Sequence, residues 1–257
     1  MKTKEDIVNN WLPRYTGNRI EDFGKHILLT NFNQYLELFC EKFDTKIVDE
    51  NKPMPCANAK GITIINFGMG SANAATIMDL LGAISPKAVL FLGKCGGIKK
   101  KNNLGDLILP IAAIRGEGTS NDYLPPEVPA LPAFKLQRAA SSTIRAHGKD
   151  YWTGTVFTTN RRVWEYDEKF KKYLRKTRSM AVDMETATLF TVGFANNIPS
   201  GALLLVTDQP MVPDGIKTEQ SDKEVSKKYV KVQFDIGVDS MFELINNGES
   251  VKHLRFD

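Results

Sequence analysis

The sequence predicts one α/β domain built on a mixed, mostly parallel central sheet flanked by helices. Short continuous apolar runs, such as Ile62-Thr63-Ile64-Ile65 and Ala88-Val89-Leu90-Phe91-Leu92, alternate with longer helical patterns. That alternation is what strands covered on both faces and joined by helices produce. Several runs end in glycine or polar turns, and in such folds ligands bind beyond the carboxyl ends of the strands. A chain of 257 residues, 42% hydrophobic and 25% charged, can bury such a core without covalent staples.

The elements follow in order. Residues 1–25 are polar and read as an irregular N-terminal segment, with Pro13 and Gly17 as breakers; residues 26–257 read as the α/β domain. Ile27-Leu28-Leu29 is a short apolar run, after which Asn31 is placed to cap a helix through about Phe43. Thr45–Val48 reads as a further strand and 50–60 as a loop holding Pro53 and Pro55. Gly61–Phe67 is a buried strand; it ends in Gly68-Met69-Gly70-Ser71, with Ser71 as N-cap of a helix over 72–82. Ala88–Leu92 ends in the turn Gly93-Lys94-Cys95-Gly96-Gly97, and Asp106–Ile114 is another strand. Four prolines make 121–133 a stiff loop. Helices are expected over Phe134–His147, Met184–Asn196 and Val225–Asn246, and strands over Tyr151–Phe157, Ala181-Val182 and Gly201–Val206.

Composition excludes several classes. The net charge is +4 with a pI near 8.8, but the basic residues are scattered. Lys99-Lys100-Lys101 and the 169–178 stretch read as solvated surface, so no nucleic-acid partner is expected. Cys40, Cys56 and Cys95 are odd in number and match no metal spacing, and His26, His147 and His253 lie far apart. Reduced thiols, no metal and no cofactor are therefore expected. No apolar stretch follows Met1–Asp6 and no run reaches 18 apolar residues, so neither a secretory signal nor a membrane span is expected. A cytoplasmic location follows as an expectation.

The chemistry concentrates at the strand ends. Gly68–Ser71 and Gly93–Gly97 are glycine turns that let a ligand approach the backbone, and a following helix N-terminus attracts anions. Asp183-Met184-Glu185 sets two acids at a strand-to-helix junction, where Glu185 can accept bonds from sugar hydroxyls. Asp208 follows the apolar strand Leu203–Val206; a pocket shielded from water would raise its pKa and suit it to act as a general acid. Phe157 ends a strand and can stack on a base; Arg115, Arg161 and Arg162 lie beside strand ends and can bind phosphate. Each has a structural alternative: tight turns for the glycines, helix-dipole stabilisation for the acids, a turn aspartate, a core phenylalanine, surface arginines.

Taken in order, the Gly68–Ser71 turn, Leu92–Gly97, Gly105-Asp106, Gly154-Thr155-Val156-Phe157, Asp183-Met184-Glu185 and Thr207-Asp208 resemble the nucleoside phosphorylase superfamily. Within it, Arg14-Tyr15-Thr16-Gly17, Leu29-Thr30-Asn31, Leu124–Pro129, Arg162–Glu165, Asp183–Thr188 and Ile216-Lys217 are similar to the catalytic domain of the AMP nucleosidase family. The resemblance implies that Glu185 holds the ribose hydroxyls with Met184 against the sugar, that Phe157 stacks on the base, and that Asp208 protonates the departing purine. Asp183, Gly70, Ser71 and Gly96 would complete the pocket.

Phosphorolytic members usually carry an arginine two residues before the glycine of the Gly93 turn, where this chain has Phe91. Water is then the implied nucleophile, giving adenine and ribose 5-phosphate from AMP or a related nucleotide. Arg14, Lys94, Arg115, Arg162 and Lys217 are the candidates for the 5′-phosphate, and the base for water is sought near Asn31 or Arg115-Gly116-Glu117. A phosphate-dependent purine or uridine phosphorylase and a non-catalytic ligand sensor are the competing readings. The resemblance further implies a homo-oligomer, up to a hexamer.

Overall fold

A computed structural model describes residues 2–212 and 214–247; the end of the segment assigned to the α/β domain, with His253, lies outside them. Eight strands form one sheet: β1 (His26–Thr30), β2 (Cys56–Ala59), β3 (Ile62–Asn66), β4 (Ala88–Gly97), β5 (Leu107–Gly116), β6 (Trp152–Thr159), β7 (Ala181–Asp183) and β8 (Ser200–Asp208). Five pairings are parallel and three antiparallel, as the mixed, mostly parallel expectation requires. β4 pairs with β8, β8 with β5, β5 with β6 and β6 with β7, and β7 returns to the last two residues of β4. These five strands close on themselves, while β1, β3 and β2 extend the sheet from the first half of β4.

Both faces of the sheet are covered, and side chains alternate between two cores. Ile27, Leu29, Val89, Phe91, Ala202 and Leu204 belong to one core with residues of α1 (Lys4–Thr16), α3 (Ser71–Leu80) and α6 (Thr186–Ala195). Leu28, Leu90, Leu92, Leu203 and Leu205 belong to the other with α2 (Asn33–Phe43), α4 (Phe134–Ala146) and α7 (Glu219–Asn246). Continuous apolar strands are the consequence. Gln233 on α7 pins the centre: its amide donates to the carbonyls of Gly93 (2.9 Å) and Leu203 (2.7 Å), and it accepts from the Tyr35 hydroxyl. Gln233→Ala leaves these buried groups unpaired. We expect a loss of about 2–3 kcal/mol in unfolding free energy, read by chemical denaturation; an unshifted midpoint would show that other groups take over.

Several expectations are corrected. The segment expected to be irregular holds α1, which starts on a reciprocal Thr3–Asp6 capping box and ends at Gly17 with φ 74°. Its apolar residues Val8 and Leu12 recur four apart and are buried, and Pro13 sits in the last turn, four residues before Gly17 ends the helix. Thr45–Val48 is not a strand; the strand is Cys56–Ala59, inside the expected loop, antiparallel on β3 at the sheet edge, where short polar strands are tolerated. Asn31 does not cap α2, which begins at Asn33. Ser71 is the first residue of α3, not its cap, and the cap is Gly70 at φ 95°. Gly93–Gly97 is the end of β4 rather than a turn, with a register shift at Cys95–Gly96. The basic 169–178 run is largely solvated, as expected, and forms α5 (Glu168–Thr177), which buries Leu174; α7 starts at Glu219, ahead of the expected Val225.

Candidate active site

The ends of β4, β6, β7 and β8, the residues after β1 and the start of α7 surround a cavity of about 230 Å³. Lys94, Gly96, Arg162, Asp183, Met184, Glu185, Asp208 and Lys217, all expected from the sequence, line it. Gly96 has to stay small: a Cβ there would lie 3.0 Å from Pro210 and 3.3 Å from the Asp208 carboxylate.

Gly70 and Ser71 act from behind the wall. The Gly70 N–H donates to Glu185 Oε1 at 2.7 Å, and the Ser71 hydroxyl donates to the Met184 carbonyl at 2.7 Å. The turn after β3 thereby fixes the Met184-Glu185 junction. Glu185 is 2% exposed; burial first, and the nearby Asp183 charge second, push its carboxyl up to about 8 against hydrogen bonds from Gly70, Met184 and Asn31. Asp183 is also buried and its carboxyl is raised by burial. It accepts from the Thr158 hydroxyl (2.6 Å), the Thr186 N–H (2.7 Å) and the Glu185 N–H (3.2 Å). Those bonds tie Asp183 to the start of α6, whose N-cap residue is Glu185.

Burial raises the Asp208 carboxyl as well, outweighing Lys217, whose Nζ lies 3.8 Å from Oδ1. Lys94 is held tightly. Its ammonium donates to Ser226 at 2.6 Å, lies 3.3 Å from Asp222 and sits 4.3 Å from the Phe32 ring centroid. Burial lowers its pKa, against the Asp222 charge. Phe91, by contrast, is fully buried against Phe67, ring centroids 5.7 Å apart, so position 91 presents no cation.

Three expected residues are elsewhere. Phe157 packs in a side cluster with Trp164, Leu174 and Val182, edge-on to Phe170 and Tyr173. Trp164 and Phe32, which the residue-by-residue reading missed, are the aromatic residues lining the cavity. Arg14 is exposed on α1. Arg115 is spent on its own loop: it donates to Ser120, Asn121 and the carbonyls of Leu124, Pro125 and Val128. Glu117 is buried and accepts from Gly118, Ser120 and Thr188, so it is not free to act on water. Arg161, also expected from the sequence, lines the cavity, whereas Glu165 and Asp222 were missed as cavity residues.

Comparison with known proteins finds relatives along nearly the whole chain. Residues 25–243 match the phosphorylase superfamily. The AMP nucleosidase of Escherichia coli (strain K12) is 30% identical over 247 residues, covering 78% of this chain and 51% of that protein. The chain thus spans about half the length of that relative. The guanosine phosphorylase of Halorubrum lacusprofundi is 25% identical, covering 72% of this chain and 78% of its own. The crystal structure of AMP nucleosidase from Bacteroides thetaiotaomicron VPI-5482 is 59% identical, covers 96% of this chain and 99% of its own, and superposes with a TM-score of 0.84. Uridine phosphorylase from Vibrio fischeri ES114, 20% identical with a TM-score of 0.78, shares the fold. The matched span includes every strand and the cavity they enclose, and the chain belongs to the phosphorylase superfamily.

Proposed function

We propose that this chain hydrolyses the N-glycosidic bond of AMP, releasing adenine and ribose 5-phosphate. The observation that carries the reading is the pairing, in one cavity, of Asp208, whose carboxyl is raised by burial, with a buried Glu185, beside a position 91 that is phenylalanine. The 59% identity to a solved AMP nucleosidase along nearly the whole chain supports it.

The purine is a poor leaving group as an anion, so Asp208 donates its proton to a ring nitrogen as the bond opens. Glu185 accepts hydrogen bonds from the ribose diol and offsets positive charge on an oxocarbenium-like sugar. Trp164 or Phe32 takes the stacking role first given to Phe157. Lys94, Arg161, Arg162 and Lys217 are the cations of the cavity lining; Lys94 and Lys217 both meet Asp222, and the 5′-phosphate is assigned to Arg161 and Arg162 rather than to Arg14 or Arg115. Binding energy from that phosphate helps distort the sugar.

Residues 26–257 are proposed as the catalytic unit, braced by α1. The proposal includes a homo-oligomer in the cytoplasm, acting in purine salvage. Among the described residues no helix is long and apolar enough to cross a membrane, and Cys40, Cys56 and Cys95 are free thiols.

Product analysis with purified protein is the test. AMP is expected to yield adenine without added phosphate. No adenine under either condition rejects the reading. Cleavage of adenosine or uridine that needs phosphate makes the chain a phosphorylase instead.

A further inference from the structure

We propose that Asp222 takes the proton from the water molecule that attacks the sugar, and that Lys94 and Lys217 hold its carboxylate for that task. The assignment rests on the hydrolysis proposed above and supplies the base which that reaction lacks.

Five carboxylates line the cavity, and four are committed. Asp183 accepts from Thr158 and from the Thr186 N–H at the start of α6, Glu185 accepts the Gly70 N–H, and Asp208 is assigned above as the proton donor. Glu165 accepts the Trp164 N–H at 2.9 Å and faces Arg162 at 3.6 Å. Asp222 remains. Its side chain keeps 35% of its surface, against 14% for Asp208, so water can reach it. Lys94 at 3.3 Å and Lys217 at 3.5 Å both meet its Oδ1.

Lys94 has little freedom to do anything else, being 6% exposed, bonded to Ser226 and seated over Phe32. Lys217 lies between the two acids, reaching Asp208 Oδ1 at 3.8 Å as well. One ammonium thus bridges two carboxyl groups whose proton affinities are shifted in opposite directions. The groups facing Asp222 are Lys94 from β4, Lys217 and Asp208 around it, and Tyr35 from α2. The two lysines hold Asp222 below the ordinary carboxylate range although burial opposes them. Two acids whose environments push their proton affinities apart are the usual signature of an acid–base pair.

The step balances. The water oxygen bonds to the anomeric carbon as the bond from that carbon to the purine breaks. The bond's electron pair leaves with the purine, which takes the Asp208 proton, and Asp222 takes the proton from water. Return of that proton through solvent to Asp208 resets the site.

The test is Asp222→Asn, compared with the wild-type enzyme on AMP. We expect kcat to fall about 10²–10⁴-fold with KM changed no more than a few-fold, and the acidic limb of the kcat profile to disappear. Added azide, which attacks without losing a proton, should restore turnover and yield a ribosyl azide 5-phosphate. A kcat within threefold of wild type, a retained acidic limb, or a loss confined to KM overturns the assignment; in the last case Asp222 only arranges the lysines. If the asparagine variant does not fold, Asp222→Ser with added formate is the second test: recovery supports the assignment and no recovery overturns it. A wild-type enzyme that releases no adenine rejects the hydrolytic reading itself, and the assignment with it, which sets that failure apart from a variant that keeps its activity.

Discussion

Asp208→Asn lowers kcat for adenine release by about 10²–10⁴-fold, the range expected for losing a positioned general acid. KM for AMP should move little, because the amide keeps the size and one acceptor of the carboxyl. The pH dependence is the sharper readout. Burial holds the Asp208 carboxyl above its ordinary value. The acid is therefore competent below that raised pKa and is lost as pH rises through it, giving the wild-type enzyme a basic limb. Asparagine has no proton to lose there, so at saturating AMP, where Glu185 is already ionised, the residual kcat of the variant should lack that basic limb. Initial rates of adenine release over a pH series check both statements. A variant with full activity, or one that keeps the basic limb, removes Asp208 from the acid role.

The strands were the most legible part of the chain. A run such as Ala88–Leu92 is apolar at every position because Val89 and Phe91 enter one core while Ala88, Leu90 and Leu92 enter the other. Two-sided burial leaves that mark directly in the sequence, and the ends of such strands mark where a ligand can sit. Hence Lys94, Gly96, Arg161, Arg162, Asp183, Met184, Glu185, Asp208 and Lys217, all expected from the sequence, meet in one cavity.

What sequence does not carry is side-chain direction and the partners it depends on. Phe157 is at a strand end as expected, yet α5 brings Phe170 and Tyr173 against its ring and keeps it from the cavity. That helix was hidden in a basic run, because its buried face is narrow. Arg115 also lies at a strand end. The proline-rich loop after it turns several carbonyls inward with no helix or sheet to receive them, and the arginine fork satisfies them. A buried carbonyl's need for a donor is invisible until the loop's path is known. Asp222 was missed for another reason. The first turns of α7, from Glu219 to Glu224, carry no apolar period, and their start is fixed by a Thr218–Ser221 capping box outside the usual glutamate pattern.

Glu185→Gln separates stability from activity. In the folded chain the Glu185 carboxyl is pushed up from 4.5 to about 8. Between those values the native state holds a proton that the unfolded chain has released, so stability declines as pH rises from the lower value through the upper. Glutamine mimics the protonated form at every pH, keeps an acceptor for the Gly70 N–H, and removes that decline. The gain should be about 3 kcal/mol at pH 7 and larger near pH 8, seen as a higher denaturation midpoint that no longer falls with pH. The same change weakens catalysis. A ribose diol bound to a carboxylate makes charge-assisted bonds worth about 1.5–3 kcal/mol each, so kcat/KM should drop about 10-fold to 10²-fold. Nucleotide binding to the wild type should also release a proton near neutral pH, because the diol favours the ionised carboxyl, and calorimetry in buffers of different ionisation enthalpy would detect it. A variant that is less stable than wild type at pH 8, or one that binds AMP with unchanged proton release, would show that Glu185 is ionised before substrate arrives. Glu185 combines a closed backbone clamp with a carboxyl ready to lose its proton, and that arrangement makes the free enzyme less stable than its sequence allows so that a sugar can complete it.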